Sequence, residues 1–124
     1  MAPQALGIRR GPVGISPAGS VLDSRTKGHR MPVFAVHYQY VDQPEVVTEH
    51  RPAHRDFLRD LLDRGIVLAA GAYTEGPAGA LLVFRGDDAA VIESLLADDP
   101  FQQLGLVASC EIRAWGQAMG PWAH

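Results

Sequence analysis

The protein has 124 residues, the length of one domain, and 47% of them are hydrophobic, which is enough for a modest core. Its formal charge of −3 argues against a nucleic-acid binder, and its single cysteine, Cys110, excludes an internal disulfide. No apolar run is long enough to span a bilayer. Composition therefore predicts a cytoplasmic protein that binds neither membrane nor nucleic acid.

Residues 1–30 differ in charge and composition from the rest of the chain. They carry five basic residues and one acidic residue, a net charge of +4, whereas residues 31–124 carry six basic and thirteen acidic residues, a net charge of −7. Because residues 1–30 are rich in Gly, Pro and Ser and have no apolar period, we predict a disordered N-terminal extension. A non-native or upstream-extended start, with Met31 as the true first residue, is favoured over an organellar transit peptide, since no amphipathic stripe is present.

Regular hydrophobic patterns begin after Met31 and predict a domain over residues 31–116, followed by a flexible tail over residues 117–124. Alternating, β-branched segments predict strands, and apolar residues at three- to four-residue spacing predict helices. The strands are expected at residues 33–40, 66–73, 80–85 and 106–115. One helix is expected from near Pro52 to Arg64, before Gly65, and a second from a cap at Asp87 to a stop at residues 98–100.

The order β-α-β-β-α-β predicts a ferredoxin-like α+β fold, an antiparallel sheet with both helices on one face. The other face carries Val33 and Ala35 between polar residues and is too apolar to face water. We therefore predict a homodimer through this open face, with Trp115 or Trp122 near the contact. Polar residues there are expected to line a pocket between subunits; they are His37, Glu111 and Arg113.

His54 precedes Phe57, Leu58 and Leu61 by three, four and seven residues, so it shares their helix face. With the helix beginning near Pro52, His54 falls in the first turn, where the helix dipole favours a neutral ring that accepts a proton. The pattern indicates a general acid or base. It is also typical of a core histidine with one satisfied hydrogen bond, the interpretation that the pattern alone favours.

Three further residues are candidates for a site. Asp98 and Asp99 follow the second helix, where the dipole disfavours carboxylates, which indicates either a functional pair or an ordinary helix stop before Pro100. Arg51 lies at the expected start of the first helix, where free N–H groups and a guanidinium can bind an anion. The alternative for Arg51 is a solvated side chain paired with an acid.

Metal and thiol chemistry are not predicted. His50 and His54 are four residues apart, but Pro52 between them places His50 before the expected helix, and no third ligand is in view. Cys110 lies within a strand without a basic neighbour, so a buried structural thiol is expected. No cofactor is predicted.

Together these segments resemble the YCII-related family over residues 31–116. The resemblance rests on Arg51-Pro52-Ala53-His54, on Gly71 and Gly79, and on Asp99-Pro100-Phe101, all in the family's order. It implies a fold similar to muconolactone isomerase, a dimeric α+β barrel of ferredoxin-like halves. It also implies an active-site dyad at His54 and Asp99. Some relatives are linked to the breakdown of chlorinated aromatic compounds, and many have Pro where this chain has Ala72.

Two functions follow from the residues and the resemblance. In the first, the protein is an enzyme without a cofactor that isomerises, or eliminates a group from, a small cyclic or aromatic anion. His54 moves the proton, Asp99 orients it, and Arg51 and His37 bind the substrate. In the second, a dimer binds a small ligand or a regulatory partner without turnover. A short distance between His54 and Asp99 in a closed pocket favours the enzyme.

Overall fold

The structure is a computed structural model that describes residues 8–10 and 31–122. Within these residues the chain forms five strands and three helices. In chain order they are β1 (Ile8–Arg10), β2 (Val33–Tyr40), α1 (Pro44–Asp63), β3 (Val67–Ala72), β4 (Gly79–Arg85), α2 (Ala89–Leu96), α3 (Pro100–Gln103) and β5 (Val107–Ala114).

The sheet has the order β1-β5-β2-β4-β3. The four strands β2 to β5 pair antiparallel, with Val36 opposite both Leu82 of β4 and Ile112 of β5. Side chains from one face of the sheet join helix residues such as Leu58, Ile92 and Phe101 in one core. The predicted ferredoxin-like βαββαβ arrangement, with helices on one face of the sheet, is therefore confirmed.

A short strand extends this sheet beyond the predicted domain. Ile8–Arg10 pairs parallel to β5, with Ile8 opposite Cys110 and Arg10 opposite Ile112. The prediction of disorder is therefore wrong for residues 8–10, and residues 1–7 and 11–30 lie outside the described residues. Composition does not predict this strand. The free edge of β5 has unpaired backbone groups that can bind an extended segment of any composition.

The first helix begins eight residues before the position predicted for it. Pro44, not Pro52, occupies its first turn, because a proline there lacks only an N–H that has no helical partner. Pro52 is the ninth residue of α1 and cannot donate to the carbonyl of Thr48, which lies on the exposed side of the helix. The helix ends at Asp63 with Arg64 as its C-cap, and the predicted glycine follows at Gly65 with φ +77°.

The second helix is capped by Asp88 instead of the predicted Asp87. The Asp88 carboxylate accepts a hydrogen bond from the N–H of Val91 at 3.0 Å. The chain then turns and starts α3, a short helix that the sequence did not predict. Asp99 is the N-cap of α3 and Pro100 its first residue, so Asp99 begins a helix instead of ending one.

Alternate residues of the strands point away from the helices and form an open face. In β2 these include Ala35 and His37, both half-buried, and in β4 they include Leu81. Arg113 lies opposite Ala35, so charged and apolar side chains mix on this surface. Trp115, just beyond β5, is 42% exposed.

No helix among the described residues is both long and apolar enough to cross a membrane. Beyond β5, the N–H of Trp122 donates to the side-chain oxygen of Gln117 at 2.6 Å. The predicted flexibility of residues 117–124 stays a prediction, and residues 123 and 124 lie outside the described residues.

Candidate functional site

The predicted pair, 45 positions apart in sequence, meets inside the domain. The Nδ1 atom of His54 lies 2.9 Å from Oδ1 of Asp99 and 3.1 Å from Oδ2. His54 is the eleventh residue of α1, and Asp99 opens α3, which packs against α1. The expected dipole effect of a first turn on His54 is therefore wrong, although the pair forms.

The carboxylate of Asp99 is fully buried and accepts three hydrogen bonds. Besides His54, the hydroxyl of Tyr38 donates to Oδ2 at 2.6 Å, and the N–H of Phe101 donates to Oδ1 at 3.0 Å. A buried carboxylate needs such partners, because each lost hydrogen bond leaves a desolvated charge. Asp99 thus ties together β2, α1 and α3.

This network assigns the tautomer of His54. A carboxylate only accepts hydrogen bonds, so Nδ1 carries the hydrogen that faces Asp99. In a neutral imidazole the lone pair then lies on Nε2. Nε2 makes no hydrogen bond to any other described residue, which leaves it available for a proton of a bound molecule.

Phe101 fixes the plane of the imidazole. Its ring is stacked on His54 with centroids 4.1 Å apart and planes 5° from parallel. Pro100 between Asp99 and Phe101 sets the φ angle at the first position of α3. The segment Asp99-Pro100-Phe101 therefore supplies the acceptor, the turn and the stacking surface for one histidine.

Burial also controls the protonation of two neighbours. Burial, and then the charge of Asp99, raises the pKa of Tyr38 well above its ordinary value, so its hydroxyl stays a donor. Burial, and then the charges of Glu93 and Asp99, raises the pKa of Cys110 to about 12. Cys110 is buried, as predicted, and a thiol with this pKa is not a nucleophile at neutral pH.

An open cleft of about 490 Å³ lies between α1 and the strands β3 and β4. His54 forms part of its wall, and Asp99 lies behind His54, away from solvent. The strand side of the cleft is mostly apolar and includes Ala72, the position where many relatives have Pro. The pair is thus within hydrogen-bond reach, but at an open cleft instead of a closed pocket.

Arg51 borders this cleft from the middle of α1. It is half-buried and also borders a neighbouring cleft of about 480 Å³, together with Tyr40 and Ala72. The expected use of helix N-terminal N–H groups at Arg51 is wrong, because α1 begins seven residues earlier, at Pro44. Any anion contact of Arg51 must come from its guanidinium.

The structure does not bring His37 to the pair. His37 lies on the open sheet face, on the other side of the sheet from His54. Its Nδ1 lies 2.7 Å from the hydroxyl of Tyr73, with the two rings stacked, and Glu111 is its neighbour on β5. Within one chain, His37 therefore belongs to a different surface.

The prediction that His50 precedes the helix is wrong. His50 and His54 both lie within α1, since the helix continues through Pro52. Among the described residues, no group of three His, Cys, Asp or Glu side chains is arranged to hold a metal ion.

Tyr38 and Phe101 are site residues for which the sequence alone predicts no role. Tyr38 stands in a strand beside other buried aromatic and β-branched residues, and nothing in that pattern separates it from an ordinary core residue. Phe101 carried a signal, since Asp followed by Pro is typical of a helix cap and first turn.

Comparisons with known proteins support the same fold. Among solved structures, the chain is similar to 5-chloro-2-hydroxyhydroquinone dehydrochlorinase (TftG) from Burkholderia phenoliruptrix AC1100 in complex with 2,5-dihydroxybenzoquinone. The TM-score is 0.61 at 18% identity, over 68% of this chain and 94% of that one, which shows a shared fold. A search of the curated proteins finds no match. The model of the YCII-related domain matches residues 31–116, most of the chain, and the protein therefore belongs to the YCII-related family.

Proposed function

We propose that the protein is a small-molecule enzyme that uses His54 and Asp99 for acid/base chemistry without a cofactor. The observation that carries the proposal is the 2.9 Å contact between Nδ1 of His54 and the buried Asp99 carboxylate, at the wall of a cleft. A carboxylate behind an imidazole fixes its tautomer and strengthens it as a base. Tyr38 and Phe101 hold the pair in place.

The chemistry is a proton transfer at a carbon atom of the substrate. Nε2 of His54 takes a proton from a substrate carbon next to a carbonyl group. The electron pair of the broken C–H bond moves into the substrate, toward that carbonyl group. In an elimination, this pair forms a new double bond as a leaving group departs with its own electrons. In an isomerisation, the imidazolium returns the proton to another carbon.

A small cyclic or aromatic anion is the substrate class that we propose. Arg51 is half-buried and borders the same cleft as His54, and its guanidinium can hold a carboxylate through two parallel hydrogen bonds. TftG, which shares the fold, is by name a dehydrochlorinase of a chlorinated hydroxyhydroquinone. That name supports elimination on a ring compound as the first reaction to test.

A homodimer through the open sheet face is part of the proposal. Ala35 and Leu81 on this face are half-buried apolar residues without a covering layer of helices. In such a dimer, His37 and Tyr73 would line the space between the subunits, and we assign His37 a substrate-binding role only there. A cytoplasmic location also stays a prediction; Cys110 needs no oxidising compartment.

The test is a screen followed by turnover. Thermal shift over small ring compounds, including chlorinated hydroquinones and lactone acids, identifies ligands, and chloride release or absorbance change then measures turnover. The proposal predicts turnover of at least one ligand and its loss in His54→Gln. Ligands that bind with no turnover in the parental protein would support a binding module instead.

A further inference from the structure

Three arginines follow one side of α1 at four-residue spacing and border the cleft beside His54. They are Arg51, Arg55 and Arg59. Residues 31–122 contain six arginines and no lysine, so half of their basic residues border this one cleft. The helix carries its acidic residues on the adjacent exposed side, including Asp56 and Asp60.

The arginines of this row repel one another. Like charges four residues apart on a helix destabilise it by a few tenths of a kcal/mol. Among the described residues, Arg64 forms an ion pair with Asp60 at 2.9 Å, whereas Arg51, Arg55 and Arg59 have no carboxylate within ion-pair distance. A bound anion would relieve this repulsion.

The rest of the cleft fits a flat apolar ring. Opposite the arginines lies β3, whose small side chains Ala70 and Ala72 border the cleft together with Leu82 of β4. Tyr40 borders the cleft at the end that adjoins the neighbouring cleft, where Arg51 also lies.

The spacing of the arginines along α1 indicates the distance between the two negative charges of a ligand. Four residues of α-helix rise about 6 Å, close to the distance across a six-membered ring with substituents at opposite ends. We propose, on the basis of the proposed function, that the substrate is a planar cyclic dianion. One of its acidic groups binds between Arg51 and Arg55, and the other binds between Arg55 and Arg59. Its ring lies on the alanines of β3. His54 lies between the first two arginines along the helix axis and reaches the ring from the side.

The test compares ring compounds that carry two, one or no carboxylate groups. Isothermal titration calorimetry is run with terephthalate, benzoate and benzamide on the parental protein, Arg55→Gln and Arg64→Gln. Arg64 is the matched control, because it loses the same charge at the end of the same helix but is paired with Asp60 away from the cleft. The proposal predicts that terephthalate binds about tenfold tighter than benzoate, and that Arg55→Gln removes this difference while Arg64→Gln keeps it.

Several outcomes would overturn the dianion site: equal affinity for terephthalate and benzoate, equal effects of the two substitutions, or no terephthalate binding at ~10 mM. The result is separable from catalysis, because the preference for terephthalate over benzoate is a binding measurement that needs no turnover. If the parental protein binds dianions but turns over no ring compound, the enzyme proposal fails and the ligand class stands. If a neutral compound is turned over equally well by Arg55→Gln, the ligand class fails and the enzyme stands.

Discussion

Tyr38 and His54 bind the same carboxylate from two different elements. The Tyr38 hydroxyl on β2 donates to Oδ2 of Asp99 at 2.6 Å, and Nδ1 of His54 on α1 faces Oδ1 at 2.9 Å. Asp99 is fully buried, so these two groups and the N–H of Phe101 take the place of water around its carboxylate. The hydrogen bonds that position the proposed base therefore also stabilise the fold.

Replacing Asp99 by Asn should cost both stability and rate. The amide places an N–H₂ group where the carboxylate accepts from Tyr38 and His54, so these hydrogen bonds must reverse, weaken or break, and we expect about 2 kcal/mol less free energy of unfolding in urea. Asp98→Asn is the matched control, because Asp98 is exposed and the change should stay within about 0.5 kcal/mol. Equal stability of the two variants would show that the Asp99 network contributes nothing to the fold.

Removing the Tyr38 hydroxyl tests its positioning role separately from packing. Tyr38→Phe keeps the ring and loses one hydrogen bond to Asp99, so we expect about 1 kcal/mol less stability and a smaller fall in kcat than in His54→Gln. Tyr73→Phe removes a hydroxyl of an exposed residue that pairs with His37, and we expect the stability to change by no more than about 0.5 kcal/mol. A parental pH–rate profile and kcat in Tyr38→Phe would mean that Tyr38 is only a core residue.

The buried thiol predicts a loss of stability at alkaline pH. The pKa of Cys110 is about 12 in the folded protein against 9.0 ordinarily. Unfolding therefore favours ionisation above pH 9, and the stability present below pH 9 is lost as the pH rises toward 12. Between pH 8 and pH 10 the loss should approach about 1 kcal/mol, measured by urea denaturation. Cys110→Ala should flatten this part of the curve, and an equally steep fall in that variant would rule out the thiol as its cause.

The dimer proposal can be tested on the open face. Leu81→Glu places a charge on that face, where Leu81 is half-buried opposite His37, and should shift the mass in light scattering from dimer to monomer. Val91→Glu makes the same change at an exposed position of α2 and should leave the dimer intact. A parental protein that is monomeric at micromolar concentration would contradict the proposal.

The fold was largely predictable from local patterns, and the helix boundaries were not. The segment 33–40 is β-branched and aromatic with partial alternation, and it is a strand at those residues. The start of α1 was misplaced because Pro44 and Pro52 are both compatible with a first turn, and only tertiary packing chooses between them. Because α1 begins at Pro44, His54 lies in the middle of the helix and not in its first turn.

The contact of His54 with Asp99 was predicted, but its supports were not. Sequence periodicity places a side chain on a face of its own element, and it contains no information on which residue of another element lies opposite. Tyr38 therefore looks like an ordinary core residue, and the stacking of Phe101 on His54 is apparent only when α3 is seen packed beside α1. His37 shows the reverse case, a polar strand residue that lies on the other side of the sheet.

The most direct test of the central claim is proton exchange at carbon, followed by NMR in D₂O. Lactone acids and ring-hydroxylated aromatic acids are incubated with the parental protein, His54→Gln and Arg64→Gln, and deuterium incorporation is measured. The account predicts incorporation by the parental protein and by Arg64→Gln, with a rate at least ~100-fold lower in His54→Gln. Incorporation by His54→Gln at the parental rate, or none by the parental protein on any compound, would contradict a proton-transfer role for His54.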